Sequence, residues 1–175
     1  MLRNVFIYLF CFGIKAAICE IMPEMPFNDT ITLATSQKSI ELKNGKQQIV
    51  VPLKIAVPFD LQQPNCSLLF ESLQVNPLPE GVYEVYLSAD CPPKGHLSSE
   101  DKRFIGLLDL YSLSDGTKKT TSLAMTDAVQ PILNGKKKGG NYYLIVQFSG
   151  NVLPHGKPVP HTGHLLCSRI RFVQH

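Results

Sequence analysis

The chain has no tryptophan and few charged residues, and neither sign of charge dominates it. Charged residues make up 18% of its 175 residues and hydrophobic residues 44%, which is a globular composition and excludes a disordered chain. The 17 Lys and Arg and 14 Asp and Glu give a formal charge of +3. Without Arg3 and Lys15, which lie in the N-terminal segment treated below, 15 basic side chains remain against the same 14 acidic ones. The composition therefore indicates no nucleic-acid partner.

The common catalytic motifs are also missing. Gly135, Gly139 and Gly140 flank lysines, but no strand–loop–helix frame surrounds them, so they indicate a turn and no phosphate-binding loop. No Gly-x-Ser-x-Gly motif is present, and no histidine and acid accompany a serine locally. We therefore predict that the protein is not an enzyme and holds no cofactor.

The first nineteen residues, MLRNVFIYLFCFGIKAAIC, combine a short basic start with an apolar run and small residues. This pattern predicts a secretory signal peptide over residues 1–19, cleaved after Ala17 or Cys19. An uncleaved anchor and a bacterial lipoprotein modified at Cys19 are the alternatives. The apolar run is short for a membrane span and Lys15 ends it, so we expect no span once the signal is removed. The predicted location is secreted or periplasmic, with a linker over residues 20–29.

Few cysteines remain for disulfides after export. Cys66, Cys91 and Cys167 follow the signal, and three thiols allow at most one disulfide within the chain. Any pair among these three is a candidate. Asn28 and Asn65 begin Asn-x-Ser/Thr acceptor patterns for glycosylation, which apply only in a eukaryotic source.

From residue 30 to residue 175 the pattern predicts strands in a single domain. Apolar and polar residues alternate in TITLATS, in VYEVYLS and around Val51–Val57, and CSLLFESLQV, YYLIVQFSG and LLCSRIRFV read as further strands. Asn44-Gly45 predicts a type I′ hairpin turn, and Asp115-Gly116 predicts a second hairpin. The exception is TDAVQPILNG, where Asp127 is a candidate helix cap and Pro131 limits the helix to about two turns.

These elements predict an all-β fold. About eight short strands separated by turn signals, with one short helix, are typical of an antiparallel β-sandwich of Greek-key or jelly-roll type.

The stretch VLPHGKPVPHTGHLLC concentrates three of the five histidines, His155, His161 and His164. Imidazoles are metal ligands when they converge on one ion. Pro158 and Pro160 exclude the helix that would align them, and no carboxylate lies nearby in the sequence to complete a site. We therefore predict a solvated loop without a metal, and these three residues are the candidate ligands if a metal binds.

The order of the strand motifs resembles a known family. GVYEVYLSADCPP, DKRFIGLLDLYSL, TSLAMTDAVQPIL, YYLIVQFSG and LLCSRIRFV follow one another as in the C-terminal β-sandwich domain of the tyrosinase and polyphenol oxidase family, from about Ile31 to Val173. The family's catalytic domain is helical and holds two coppers with six histidines, which this chain lacks. The resemblance therefore implies the partner domain, which packs over the copper site and keeps the enzyme latent.

The resemblance implies an accessory or lid role toward a tyrosinase-like copper oxidase. In the family a bulky loop side chain can plug the entrance of the copper site, and Leu97, His96, Leu153 and His155 are candidates for such a plug. The alternative function is a small secreted module that binds lipid, glycan or protein.

Overall fold

The computed structural model describes ten stretches and single positions of the chain: residues 30–59, 65–78, 81–90, 95–108, 110, 113, 116–125, 130–133, 138–150 and 161–175. The predicted signal peptide, the linker, Asp127, Cys91 and His155 lie outside these residues. The described strands and helix are β1 Ile31–Ser36, β2 Ile40–Leu42, β3 Gln48–Ile55, β4 Cys66–Asn76, β5 Gly81–Ser88, β6 Phe104–Leu108, β7 Lys119–Ala124, α1 Gln130–Leu133, β8 Asn141–Gly150, β9 His164–Cys167 and β10 Arg169–Gln174.

The strands form one antiparallel sheet, which confirms the all-β prediction with a single short helix. Its order across the described strands is β2-β9-β4-β10-β1-β3-β8-β5-β6, and β7 pairs with β4. The sheet has ten strands where about eight were predicted. The sandwich type stays a prediction.

The sheet curves so that β6, at one end of the strand order, lies close to β7, which pairs with β4. A Cβ atom built on Gly106 of β6 would lie 3.1 Å from Cδ1 of Leu123 on β7. Because alternate side chains of each strand point inward, most buried side chains form one contiguous cluster, and Tyr86, Leu97 and Ile145 form a second, smaller one. The largest fully buried side chains are aromatic: Tyr83, Tyr86, Tyr142, Phe70, Phe148 and Phe172.

A corner in the sheet decides which strands meet. The chain bends between β1 and β2, between β9 and β10, and within β4 at Ser72, whose φ of 51° is unusual for a residue with a side chain. β1 pairs with β10, and past the bend β2 pairs with β9. Serine hydroxyls satisfy the backbone there: Ser36 Oγ accepts the Ile170 N–H at 2.9 Å, and Ser168 Oγ donates to the Glu71 carbonyl at 2.9 Å.

The predicted hairpin at Asn44-Gly45 is wrong. The turn exists, since the Lys46 N–H donates to the Lys43 carbonyl at 3.1 Å. Only Gly45 has a positive φ, of 79°, whereas a type I′ turn needs two such residues. The turn does not join two paired strands, because the corner carries β2 to β9 while β3 pairs with β1 and β8.

The second predicted hairpin is also wrong. Gly116 has a positive φ of 77°, but in the described strands β6 pairs with β5 and β7 pairs with β4. β6 and β7 thus lie at different places in the strand order. Among the described residues, no helix has the length and apolar character needed to span a membrane.

Two glycines in the sheet predict unequal sensitivity to a methyl group. A Cβ on Gly81 would lie 2.6 Å from both Phe148 Cζ and the Ser149 carbonyl oxygen, whereas one on Gly106 would meet only the flexible end of Leu123. We expect Gly81→Ala to lower the free energy of unfolding by about 1–3 kcal/mol and Gly106→Ala by less than about 1 kcal/mol. Urea denaturation measures both, and equal effects would contradict the described packing.

Candidate functional site

His161 is fully buried, so the prediction of a solvated loop is wrong at this position. Its Nδ1 lies 3.2 Å from the Lys43 carbonyl oxygen, and its Nε2 lies 2.6 Å from the Tyr83 hydroxyl. A carbonyl only accepts hydrogen bonds, so Nδ1 carries the proton, and in the neutral ring Nε2 accepts from Tyr83. Both ring nitrogens of His161 are therefore engaged within the chain.

Aromatic rings surround His161. The Phe148 ring centroid lies 4.8 Å from that of His161, and the Tyr83 centroid lies 5.5 Å away in an edge-on arrangement. Burial disfavours the charged imidazole and lowers the pKa of His161. Burial also raises the pKa of Tyr83, so both partners of this hydrogen bond stay neutral near neutral pH.

This residue clamps the turn between β2 and β3 from two sides. The side chain of His161 bonds the Lys43 carbonyl, and the Gly45 N–H donates to the His161 carbonyl at 2.9 Å. The two bonds fix the connection between β2 and β3 against a buried group. The position of β2 relative to β3 therefore depends on His161.

His164 occupies a different environment. Its side chain is 41% exposed, and Nε2 lies 2.7 Å from Glu41 Oε1. Glu41 also lies 3.4 Å from Lys43 Nζ. Burial alone would raise the pKa of Glu41, but the hydrogen bond with His164 and the charge of Lys43 outweigh it and lower that pKa. The fold therefore places a carboxylate beside His164 that the local sequence does not offer, because β2 supplies Glu41 from far away in the sequence.

No group of three or more His, Cys, Asp or Glu side chains able to hold a metal occurs within the described ranges. His161 bonds a carbonyl and a tyrosine, and His164 bonds a carboxylate. The third candidate ligand, His155, lies outside the described residues.

Cys66 and Cys167 are buried free thiols. Burial raises the pKa of each thiol to about 11, so both are protonated at neutral pH. Cys167 Sγ lies 3.3 Å from the Glu71 carbonyl oxygen, within the corner of the sheet. Of the glycosylation candidates, Asn65 is exposed and Asn28 lies outside the described residues.

A second polar cluster on the outer side of the sheet escaped the sequence analysis. Gln147 on β8 is fully buried and bonds both backbone groups of Leu97, at 2.8 and 2.9 Å. Its amide also donates to Glu84 at 2.9 Å, and Tyr86 donates to the same carboxylate oxygen at 2.7 Å. The polar residues Glu84 and Gln147 inside apolar strands were the available signal, but only the strand register makes them neighbours.

The contacts of this cluster test one of the four candidate plug residues, Leu97. Leu97 is buried against Tyr86 and Ile145 of its own chain, so it is not available to a partner's site, and the expectation for Leu97 is wrong. His96 beside it is exposed, and its Nε2 lies 3.2 Å from the Gln147 amide. Leu153 and His155 lie outside the described residues.

A cleft of about 400 Å³ opens where β2 and β3 diverge. It is lined by residues 36–40 and 49–52. Its volume lies within the range of roughly 300–1,000 Å³ that is typical of ligand pockets. Lys38 is the one charged residue among those that line it.

One wall of this cleft is an unpaired strand edge. The Ile55 N–H donates to the Gly140 carbonyl and the Phe148 N–H to the Gln47 carbonyl, so the odd-numbered positions of β3 face β8. The direction alternates along a strand, so Gln48, Val50 and Pro52 turn their backbone groups away from β8. β1 covers only Leu53–Ile55 on that side. In the described part of the chain, the edge from Gln48 to Pro52 pairs with no strand.

The buried imidazole predicts a pH dependence of stability. Because its pKa is lowered on folding, below about pH 6.5 the unfolded chain binds a proton that the folded chain does not. Stability from the neutral ring is therefore complete above that pH and falls as the pH drops. We expect the stability advantage of the wild type over His161→Gln to shrink between about pH 7.5 and 5.5, by at most about 1.4 kcal/mol per pH unit.

Chemical denaturation at each pH measures this difference. His164→Gln is the control, because the His164 ring is exposed and bonded to Glu41. Since no buried ring is removed at this position, the loss of stability advantage expected for His161→Gln should not occur for His164→Gln. A difference between wild type and His161→Gln that does not change with pH would contradict a buried neutral imidazole.

No family model and no curated protein matches this chain. A solved structure described as latent aurone synthase (polyphenol oxidase) from natural source matches with a TM-score of 0.44 and 16% sequence identity. The match covers 77% of this chain and 25% of that chain, so this chain spans about a quarter of the length of that protein. The chain thus resembles part of a polyphenol oxidase.

Proposed function

We propose that this chain is a non-catalytic, exported interaction domain that binds a tyrosinase-like copper oxidase. The observation that carries the proposal is the unpaired edge of β3 beside the cleft. An unpaired edge presents backbone donors and acceptors to a partner, and natural proteins usually cover or block such edges. Here the edge is five residues long and lies next to a concave surface.

The side chains of the described sites support a binding role over catalysis. A catalytic histidine or cysteine needs a titrating group with access to substrate. His161 is buried with both nitrogens bonded, and Cys66 and Cys167 are buried with raised pKa values. These groups stabilise the fold in the arrangement described.

The partner class comes from the sequence. The strand motifs between about Ile31 and Val173 follow the order of the tyrosinase C-terminal domain, without the histidines of the copper-binding domain. The proposed role toward the oxidase is that of an accessory domain. The N-terminal segment of residues 1–19 supports export to the compartment where such an oxidase would be secreted.

The alternative of a lipid-binding module has less support. The interior is occupied by one contiguous cluster that includes the large side chains of Tyr83, Tyr142 and Phe172. Close-packed apolar interiors leave little room for a lipid chain. Binding at the surface is therefore the better-supported role.

The test is a titration of the secreted protein against a secreted tyrosinase-like oxidase from the same source. We expect saturable binding by calorimetry and a change in the rate of phenol oxidation. The mass of the secreted chain should separately show that residues up to Ala17 or Cys19 are absent. Wild-type protein unfolded in urea and kept unfolded by reductive alkylation of its cysteines is the control for a requirement for the folded sheet. No binding together with an unchanged oxidase rate would exclude this partner.

A further inference from the structure

We infer that the β3 edge from Gln48 to Pro52 accepts an extended, acidic segment of a partner protein as an added strand. The inference rests on the proposed function, since it names the site through which the domain binds. Strand addition is a common mode of peptide recognition: main-chain hydrogen bonds give affinity, and side-chain contacts give specificity.

The backbone geometry supplies the hydrogen-bonding groups. Val50 turns its N–H and carbonyl away from β8 and toward the cleft, and Gln48, two residues earlier, turns its groups to the same side of β3. Pro52 has no N–H and offers only its carbonyl, so it limits pairing to the part of the edge that precedes it. A partner strand therefore pairs with about three to five residues of β3.

The divergence of β2 leaves room for that strand. β2 pairs with β9, and its other edge has no partner within the described ranges. Neighbouring strands lie about 4.7–4.9 Å apart, so an added strand needs an open space beside β3 of the kind that the cleft provides. Val50 is 41% exposed beside this space and offers an apolar contact.

Charge determines the chemistry of the added segment. Lys38 is exposed and is the one charged side chain lining the cleft, whose other lining residues are polar or apolar. A carboxylate opposite Lys38 is favoured and an ammonium group is disfavoured. The occupant is accordingly an acidic segment with alternating apolar residues, whose period matches the pleat of a strand.

A proline on an edge and a lysine beside it also protect sheets from aggregation, which is the competing explanation for Pro52 and Lys38. Protection alone requires no affinity for any peptide. The two explanations therefore differ in a measurable binding constant.

The probe is a capped peptide in which valine alternates with glutamate, compared with the same peptide carrying lysine in place of glutamate. Binding is measured by chemical-shift titration of the full chain. We expect the acidic peptide to bind the wild type. Val50→Pro should weaken it by about tenfold or more, since the ring removes the outward N–H and blocks close approach. Val50→Thr, which keeps the N–H and a β-branched side chain, should bind as the wild type does.

Charge reversal gives an independent readout. We expect Lys38→Glu to weaken the acidic peptide by about tenfold and to favour the lysine peptide. Circular dichroism and thermal melting check that each variant folds, and if Val50→Pro does not fold, the charge exchange decides. Absence of binding to the acidic peptide at about 1 mM, or equal binding by the wild type and folded Val50→Pro, overturns the inference.

Two further outcomes separate this inference from the proposed function. If an oxidase binds the wild type and Val50→Pro equally, the edge is not the site, although the chain still binds the oxidase. If the peptide binds as expected but no oxidase does, the edge site stands and the oxidase is the wrong partner. A concentration-dependent dimer of the wild type that Val50→Pro abolishes would assign the edge to a second copy of this chain and overturn the inference.

Discussion

The bend shared by three neighbouring strands is the constraint on which the rest of the structure depends. β1 turns into β2, β9 turns into β10, and β4 changes direction at Ser72, all at one corner of the sheet. A bend interrupts the ladder, and unpaired buried backbone groups cost free energy. The Ser36 hydroxyl supplies a partner for the Ile170 N–H, and Ser168 donates to the Glu71 carbonyl from both its hydroxyl and its backbone N–H. Because the chain bends after β1 and β2 then pairs with β9, β1 covers only Leu53–Ile55 of β3. The rest of that edge of β3 has no neighbouring strand in the described part of the chain.

The His161 clamp keeps that arrangement in place. A buried imidazole is tolerated only when both nitrogens are satisfied, and here the Lys43 carbonyl and the Tyr83 hydroxyl satisfy them. The packing of His161 on Phe148 links the turn after β2 to β8, the strand that pairs with the other edge of β3. The cleft and the clamp are therefore parts of one structural unit.

The sequence predicted the local elements better than their partners. Alternation located β1, β3 and β5, because a half-buried strand imposes a period of two on its residues, and further strand patterns located β4 and β8. The sequence pattern failed at Asn44-Gly45, where a strong turn signal is present but the strands on either side pair elsewhere. The corner depends on Ser72 and Ser168, two residues that look ordinary within strand patterns. His161 was assigned to a solvated loop because Lys43 and Tyr83, which bury and bond it, are remote in the sequence.

The central claim is that the edge of β3 at Val50 is open, and amide hydrogen exchange of the full chain tests it directly. Val50 and Val51 are adjacent and share one strand, but only the Val51 N–H faces β8. The account predicts that the Val50 amide exchanges rapidly with solvent while the Val51 and Leu53 amides are protected by the folded sheet. Protection of Val50 equal to that of Val51 in the protein alone would show that this edge is already paired and would contradict the account.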